Sequence, residues 1–319
     1  MNVMFMCYPL KSLHFPNSCD IISLLKLNQN IMPPEDIKIG KFKASRIIVK
    51  ESWNVLKQDK EIMWFPVIST ILTLIVLGAM AAYFYFMLLG GSSTEFKIDE
   101  SKEISNIIIY GTIFIYYLVI FFIANFFQSA LFIIVQGRFS GQDLNFSDGM
   151  QGAGKYVGKI FIWSLISATV GIILNAISNK FKMVGRILAN ILGAAWEILT
   201  YFSLPALVIG NLGIKDSFKE SASMIKKTWG ETLIVSFGVG LFFVAVVVLG
   251  LVLSVAITIM APTTYVVVSV AVVFTIFYIA MMLLATTLSS IFKLALFNYA
   301  RTGNIPQGFS DYIVKGAIK

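Results

Sequence analysis

The sequence predicts an all-α, polytopic membrane protein: six transmembrane helices in three hairpins, each hairpin preceded by a cytoplasmic amphipathic interfacial helix. Three observations predict it. Hydrophobic residues fill 57% of the 319 positions and charged residues only 13%, far below the charged share of a soluble domain. Six stretches stay apolar over the roughly 20 residues that a helix needs to cross a bilayer. One short pattern, a phenylalanine followed by positions four, seven and eleven residues later, recurs four times, three of them directly ahead of a pair of apolar stretches.

Residues 1–37 differ in character from the rest. They hold the only histidine, His14, and both cysteines, Cys7 and Cys19. The basic n-region, continuous apolar h-region and small-residue cleavage site of a secretory signal are missing. The segment reads as a disordered tail, or as a leader added by an over-extended gene start, with Met32 opening a natural cytoplasmic leader. Residues 38–319 then form a single helical membrane domain. No C-x-x-C spacing follows, so disulfides and cysteine-bound metals have no part in its architecture.

The first unit begins with Phe42, Arg46, Val49 and Trp53, where Lys43, Lys50, Asn54 and Lys57 form a polar face opposite Val49, Trp53 and Leu56. Tryptophan at the end of such a helix suits the headgroup boundary. Spans over residues 62–89 and 107–136 follow. In the second unit Phe146, Met150, Ala153 and Val157 lead into spans over 157–177 and 187–209. The third opens with Phe218, Ala222, Ile225 and Trp229 on one stripe and Lys219, Lys226 and Lys227 off it, the arrangement of an interfacial helix. Its spans cover 233–260 and 265–292. Phe309, Ile313 and Gly316 form a truncated fourth copy. The even-numbered spans also end alike, in Ala130-Leu131-Phe132, Ala206-Leu207-Val208 and Ala295-Leu296-Phe297, which supports a threefold unit.

Charge sets the orientation. Eighteen Lys and Arg residues lie on the side that holds the phenylalanine patterns and both termini, against Lys97, Lys102, Lys180, Lys182 and Arg186 opposite. The positive-inside rule makes that richer side cytoplasmic, in a multi-pass protein of the cell (inner, cytoplasmic) membrane. The net charge of +8 therefore reflects topology. With no soluble basic domain, nucleic acid is not an expected partner. The expected partners are the lipid bilayer and a membrane protein or a second copy of the chain.

Three segments carry a resemblance. Ser52 to Pro66 read S-W-x-x-L-K-x-D-K-E-x-x-x-F-P, Ser221 to Glu231 read S-A-x-M-x-K-K-T-W-G-E, and Ala195 to Pro205 contain A-W-x-x-x-T-Y-F-x-x-P. Together these resemble the signatures of an uncharacterised prokaryotic family of six-helix membrane proteins. The resemblance implies the fold and no activity, cofactor or catalytic residue. More distantly, the layout of hairpins and interfacial helices is similar to the membrane domain associated with glycerophosphodiester phosphodiesterases, a likeness of fold that transfers no function.

Chemistry-bearing residues are few. Gly149, Gly154 and Lys155 nearly match a phosphate-binding loop, but Tyr156 replaces the hydroxyl ligand to magnesium and no strand precedes the glycines, so flexible linking glycines account for them better. Glu197 is the sharper candidate, since it lies near the middle of the fourth apolar stretch. A charge at that depth costs a few kcal/mol unless it is paired, protonated or facing water. Asn125, Gln128 and Asn175 also interrupt apolar spans and are its candidate partners. The group either joins helices by hydrogen bonding or carries an ion or proton. Neither catalytic residues nor ligands for a metal or cofactor are evident: H-E-x-x-H, G-x-S-x-G and clustered histidines are all missing.

The expected function is structural, organising membrane or envelope processes through the interfacial helices, with Trp53, Phe218, Lys226, Lys227 and Trp229 as contact residues. A small-solute or proton-coupled transporter using Glu197 is the alternative. A membrane-embedded lipid-processing enzyme comes third.

Overall fold

Apolar runs this long leave the backbone one economical solution, since in hydrocarbon every amide and carbonyl must be satisfied within its own helix. A computed structural model of the chain describes residues 41–89, 103–180, 182–227, 231–261, 263–304 and 306–309, and among them no strand occurs. The helices are α1 (Lys41–Gln58), α2 (Trp64–Leu89), α3 (Glu103–Phe139), α4 (Phe146–Gly154), α5 (Val157–Lys180), α6 (Lys182–Leu199), α7 (Ser203–Val208), α8 (Ile214–Lys227), α9 (Glu231–Met260) and α10 (Thr264–Thr302). A single 3₁₀ turn at Lys60–Met63 separates α1 from α2. Six helical stretches are long and apolar enough to cross a membrane, and the chain is an all-α, multi-pass membrane protein. They pack as hairpins α2/α3, α5/α6 and α9/α10. The leader before residue 38 and the loop carrying Lys97 and Lys102 lie outside the described residues.

Two spans differ from the sequence expectation. The last continues past Phe292 to Thr302, because Leu294, Ala295, Leu296 and Phe297 beyond Lys293 are buried core residues. It stops at Gly303, whose φ of 74° is the left-handed cap that glycine adopts without penalty. The fourth span is not one helix: α6 ends at Leu199 and α7 begins at Ser203. Pro205 accounts for the break, since it has no N–H and its ring would meet the carbonyl four residues earlier, at Tyr201.

The three short helices α1, α4 and α8 gather at one end of the bundle in a single apolar cluster with α7, the end of α3 and the end of α10. Each lies on the hairpin that comes before it, taken cyclically: α4 on α3, α8 on α6 and α7, and α1 on α9 and α10. Away from this end the spans present Ile71, Leu74, Val248, Val252, Val272 and Ile276 outward, an apolar belt suited to lipid.

In α1 and α8 the buried face is shifted by one residue from the phenylalanine stripe, with Ile225 the exception. In α1, Ile48, Ser52, Val55 and Leu56 are buried while Trp53 remains 37% exposed. In α8, Ser217, Ser221, Met224 and Ile225 are buried, Phe218 and Ala222 half-buried, and Lys219 and Lys226 exposed. The side chains of Phe42, Arg46 and Lys227, and all of Trp229, lie outside the described residues. Small side chains account for the offset, because serine, glycine and alanine allow the backbones to approach closely. The glycines of α4 do the same. Far from forming a flexible link, Gly149 and Gly152 sit within a helix, where an added Cβ would come within 2.8 Å of Phe65 and Ile134 or 2.9 Å of Ile133.

Polar contacts hold the first two units together. Asn145 caps α4 in a reciprocal box with Asp148. The Phe146 amide, next in line, donates to Glu61 at 2.6 Å, and the Phe65 ring stacks on Phe146 at 4.7 Å. Asp59 caps the 3₁₀ turn and lies 3.5 Å from Arg138, which also pairs with Asp143 at 2.7 Å. Burial pushes the Asp59 carboxyl above its usual value, against the pull of the Arg138 guanidinium. The run Asp59-Lys60-Glu61 thus fastens α1 and α2 to α3 and α4.

A polar cavity among the membrane spans

Hydrogen bonding sets the register in which the spans bring polar side chains together. Helices α3 and α10 lie side by side and parallel, joined by Gln128 to Ser290 at 3.5 Å and by Asn298 to Gln136 at 2.7 Å, with the same sequence separation in both pairs. On the other flank of α3, the Asn125 amide donates to Ser164 of α5 at 3.0 Å. The break in the fourth span then turns Thr200 and Tyr201 inward. There Thr200 returns its hydroxyl to the Trp196 carbonyl at 2.7 Å.

Between α3, α5, α6 and α10 these elements leave a cavity of about 510 Å³. Its polar lining includes Asn125, Gln128, Ser167, Glu197, Thr200 and Lys293. A second cavity of about 460 Å³ adjoins it along the α5/α6 groove and shares Leu174, Gly193 and Glu197. Asn175, Ser178 and Asn190 line this extension. Aromatic rings form one wall: Trp163 stacks on Trp196 at 6.1 Å, and Trp196 stacks on Phe218 of α8 at the same separation.

Of the residues singled out in the sequence, Glu197, Asn125 and Gln128 share the main cavity, and Asn175 joins Glu197 in the adjoining one. Asn175 accepts a hydrogen bond from Asn179 at 3.1 Å. Among the described residues Glu197 makes no hydrogen bond and no direct ion pair; its exposed carboxylate faces the cavity. Trp53, Phe218 and Lys226 lie apart from that lining, although Phe218 backs its aromatic wall.

Sequence reasoning missed Lys293. Its position one residue past the expected end of the last span placed it among the orientation charges, whereas α10 carries it into the cavity with Glu197. Its ammonium sits 4.5 Å from the centre of the Tyr201 ring, a cation–π contact. The two side chains line the same cavity without a direct ion pair. The signal lay in the continuing apolar run of Leu294 to Phe297, which makes a lysine at 293 an interruption of a helix and not its end. Lys159, by contrast, stays with the turn that follows the fourth span: its ammonium donates to the Asn211 side chain at 3.0 Å and the Leu212 carbonyl at 3.1 Å, pinning the turn between α7 and α8.

Chemically the cavity offers one carboxylate, one ammonium, neutral amides and hydroxyls, and aromatic faces. No group of three or more His, Cys, Asp or Glu side chains able to hold a metal ion occurs among the described residues. No curated protein and no solved structure matches the chain. Residues 107–308, well over half of the chain and including every lining residue of both cavities, match a family of unknown function, DUF6159, and the chain belongs to that family.

Proposed function

We propose that the protein binds a small polar solute, or the polar part of a lipid, in the cavity between α3, α5, α6 and α10, and moves it within or across the membrane. One observation carries this reading: Glu197 and Lys293 enter the same cavity on different spans without pairing directly. Each charge at membrane depth costs a few kcal/mol unless it is met by water or a partner. A bundle selected for stability alone would place apolar side chains at both positions. Glu197 also suits proton exchange coupled to solute movement.

The test is water access. With Cys7 and Cys19 replaced by serine, Ser167→Cys places a thiol on the cavity wall, and Val248→Cys places one on the exposed face of α9 as a control. A charged thiosulfonate reagent, which reacts with a hydrated thiolate, should modify the Ser167 site in nanodiscs and spare the control. No modification at Ser167 would defeat the reading.

Topology follows the same proposal. The end that gathers α1, α4 and α8 faces the cytoplasm of a cell with an inner membrane, as do both termini, in keeping with the excess of Lys and Arg there.

The structural, organising role is the second reading, with the short helices contacting lipid headgroups, a membrane-protein partner or a second copy. It is favoured by Trp53, exposed on α1 with the Lys57 ammonium 5.8 Å from its ring, and by the exposed Lys219 and Lys226 of α8. Its weakness is that the apolar residues of those helices are largely taken up by the protein's own core. Spin-labelled lipids that failed to quench Trp53, in a chain with its other tryptophans replaced by phenylalanine, would remove it. A lipid-processing enzyme is the third reading, and turnover of lipid by the pure protein would revive it.

A further inference from the structure

The charges of the cavity constrain what fits it. Glu197 contributes one negative charge and Lys293 one positive charge to the lining of a volume of about 510 Å³, which suits a small molecule. A simple anion attracted to Lys293 would meet the Glu197 carboxylate, and a simple cation at Glu197 would meet the ammonium. Either ligand leaves one protein charge uncompensated in a poorly hydrated place. A ligand with both charges leaves none. In the same lining, Asn125, Gln128 and Thr200 supply neutral hydrogen-bonding groups.

Resting on the reading of this cavity as a solute site, we infer that its ligand is a zwitterion, with an ammonium end held by Glu197 and a phosphate or carboxylate end held by Lys293. The adjoining cavity, continuous through Leu174, Gly193 and Glu197, extends the polar route along the α5/α6 groove toward Asn190. Two sources offer this chemistry: the headgroup of a zwitterionic lipid entering sideways, and a free zwitterionic solute.

The experiment measures protection of the Ser167→Cys thiol, in the full chain with Cys7 and Cys19 replaced by serine, from the charged thiosulfonate. Nanodiscs of phosphatidylglycerol alone give the unprotected rate. Glycine and glycerophosphoethanolamine are then added as soluble zwitterions, phosphatidylethanolamine is substituted into the bilayer in a separate arm, and inorganic phosphate and ethylamine serve as singly functional controls. Slower modification with a zwitterion, but not with either control, is the expected result. Protection by the soluble probes identifies a solute site, and protection by phosphatidylethanolamine alone identifies a headgroup site. Glu197→Gln and Lys293→Gln should each weaken protection about tenfold, the loss of one charge-assisted contact, while Lys293→Arg keeps it. An unprotected rate equal to that of the parent shows that each variant has kept the cavity. Equal protection by phosphate or ethylamine, or none by any zwitterion, overturns the assignment. In those cases modification of Ser167→Cys itself still supports the solute cavity, so the two readings fail separately.

Discussion

The Ser221 hydroxyl accepts the Phe202 amide at 2.9 Å, reaching from α8 into the break of the fourth span. Pro205 opens that break, and a buried amide left without a partner costs about 1–3 kcal/mol. Ser221 therefore supplies from another helix the hydrogen bond that the interrupted helix does not provide. Two segments singled out in the sequence, Ala195 to Pro205 and Ser221 to Glu231, meet at this bond.

Ser221→Ala should lower stability by about 1–3 kcal/mol, measured by thermal unfolding in detergent. In a Pro205→Ala background the same substitution should cost less, because a continuous helix satisfies Phe202 from its own preceding turn. Equal costs in both backgrounds would disprove the coupling, which a double-mutant cycle reads directly.

Gly149→Ala should destabilise the protein. The added Cβ would stand 2.8 Å from both Ile134 and Phe65, and overpacking of about 1–3 kcal/mol outweighs the roughly 1 kcal/mol by which alanine exceeds glycine in a helix. Gly154→Ala, at the end of the same helix and facing open space, should be neutral or stabilising. Thermal unfolding of the two variants side by side separates packing from propensity.

Asp59 predicts a pH dependence. Its carboxyl, desolvated by burial and opposed by Arg138, holds its proton more tightly in the fold than at its ordinary value of 3.8. Protonation at this site therefore favours the folded state. Its contribution is fully present below 3.8 and is lost as the pH rises through the higher folded value. Asp59→Asn should remove this component, so the stability difference between parent and variant should change as the pH rises from 3.8 through the higher folded value and flatten above it. A difference independent of pH would contradict it.

Lys293→Leu should leave stability unchanged or raised by about 1–3 kcal/mol, since it removes a charge from an apolar span without leaving a directly paired partner. The same variant should lose zwitterion binding. Marked destabilisation, seen as a lower unfolding temperature, would instead make Lys293 a structural clamp on Tyr201.

The six spans were legible because a helix of some 20 apolar residues matches the thickness of the hydrocarbon layer and is poorly accommodated by water. Hairpin pairing followed from their spacing. The cavity was only half legible: Glu197 interrupts an apolar stretch conspicuously, but Lys293 falls where such a stretch was expected to end, and charge near a span end ordinarily signals topology. The buried faces of α1 and α8 escaped for a different reason. Ser52, Ser217 and Ser221 look solvated by composition, and only the close approach of helices shows that small size outweighs polarity there. No periodicity announces the Ser221 to Phe202 bond, because it joins residues whose neighbours are fixed by the fold.

The cyclic placement of the short helices bears on biogenesis. A ribosome delivers α1 ahead of the spans, yet much of the surface that it packs on comes from α9 and α10, which follow the other spans. Throughout insertion of the first four spans, α1 is held at its C-terminal end, through Asp59 and Glu61, while the rest of its buried face waits for a partner. Formation of the α9/α10 hairpin then completes the packing of α1, so a stop anywhere before Thr264 leaves an early helix, as well as the late spans, unfinished.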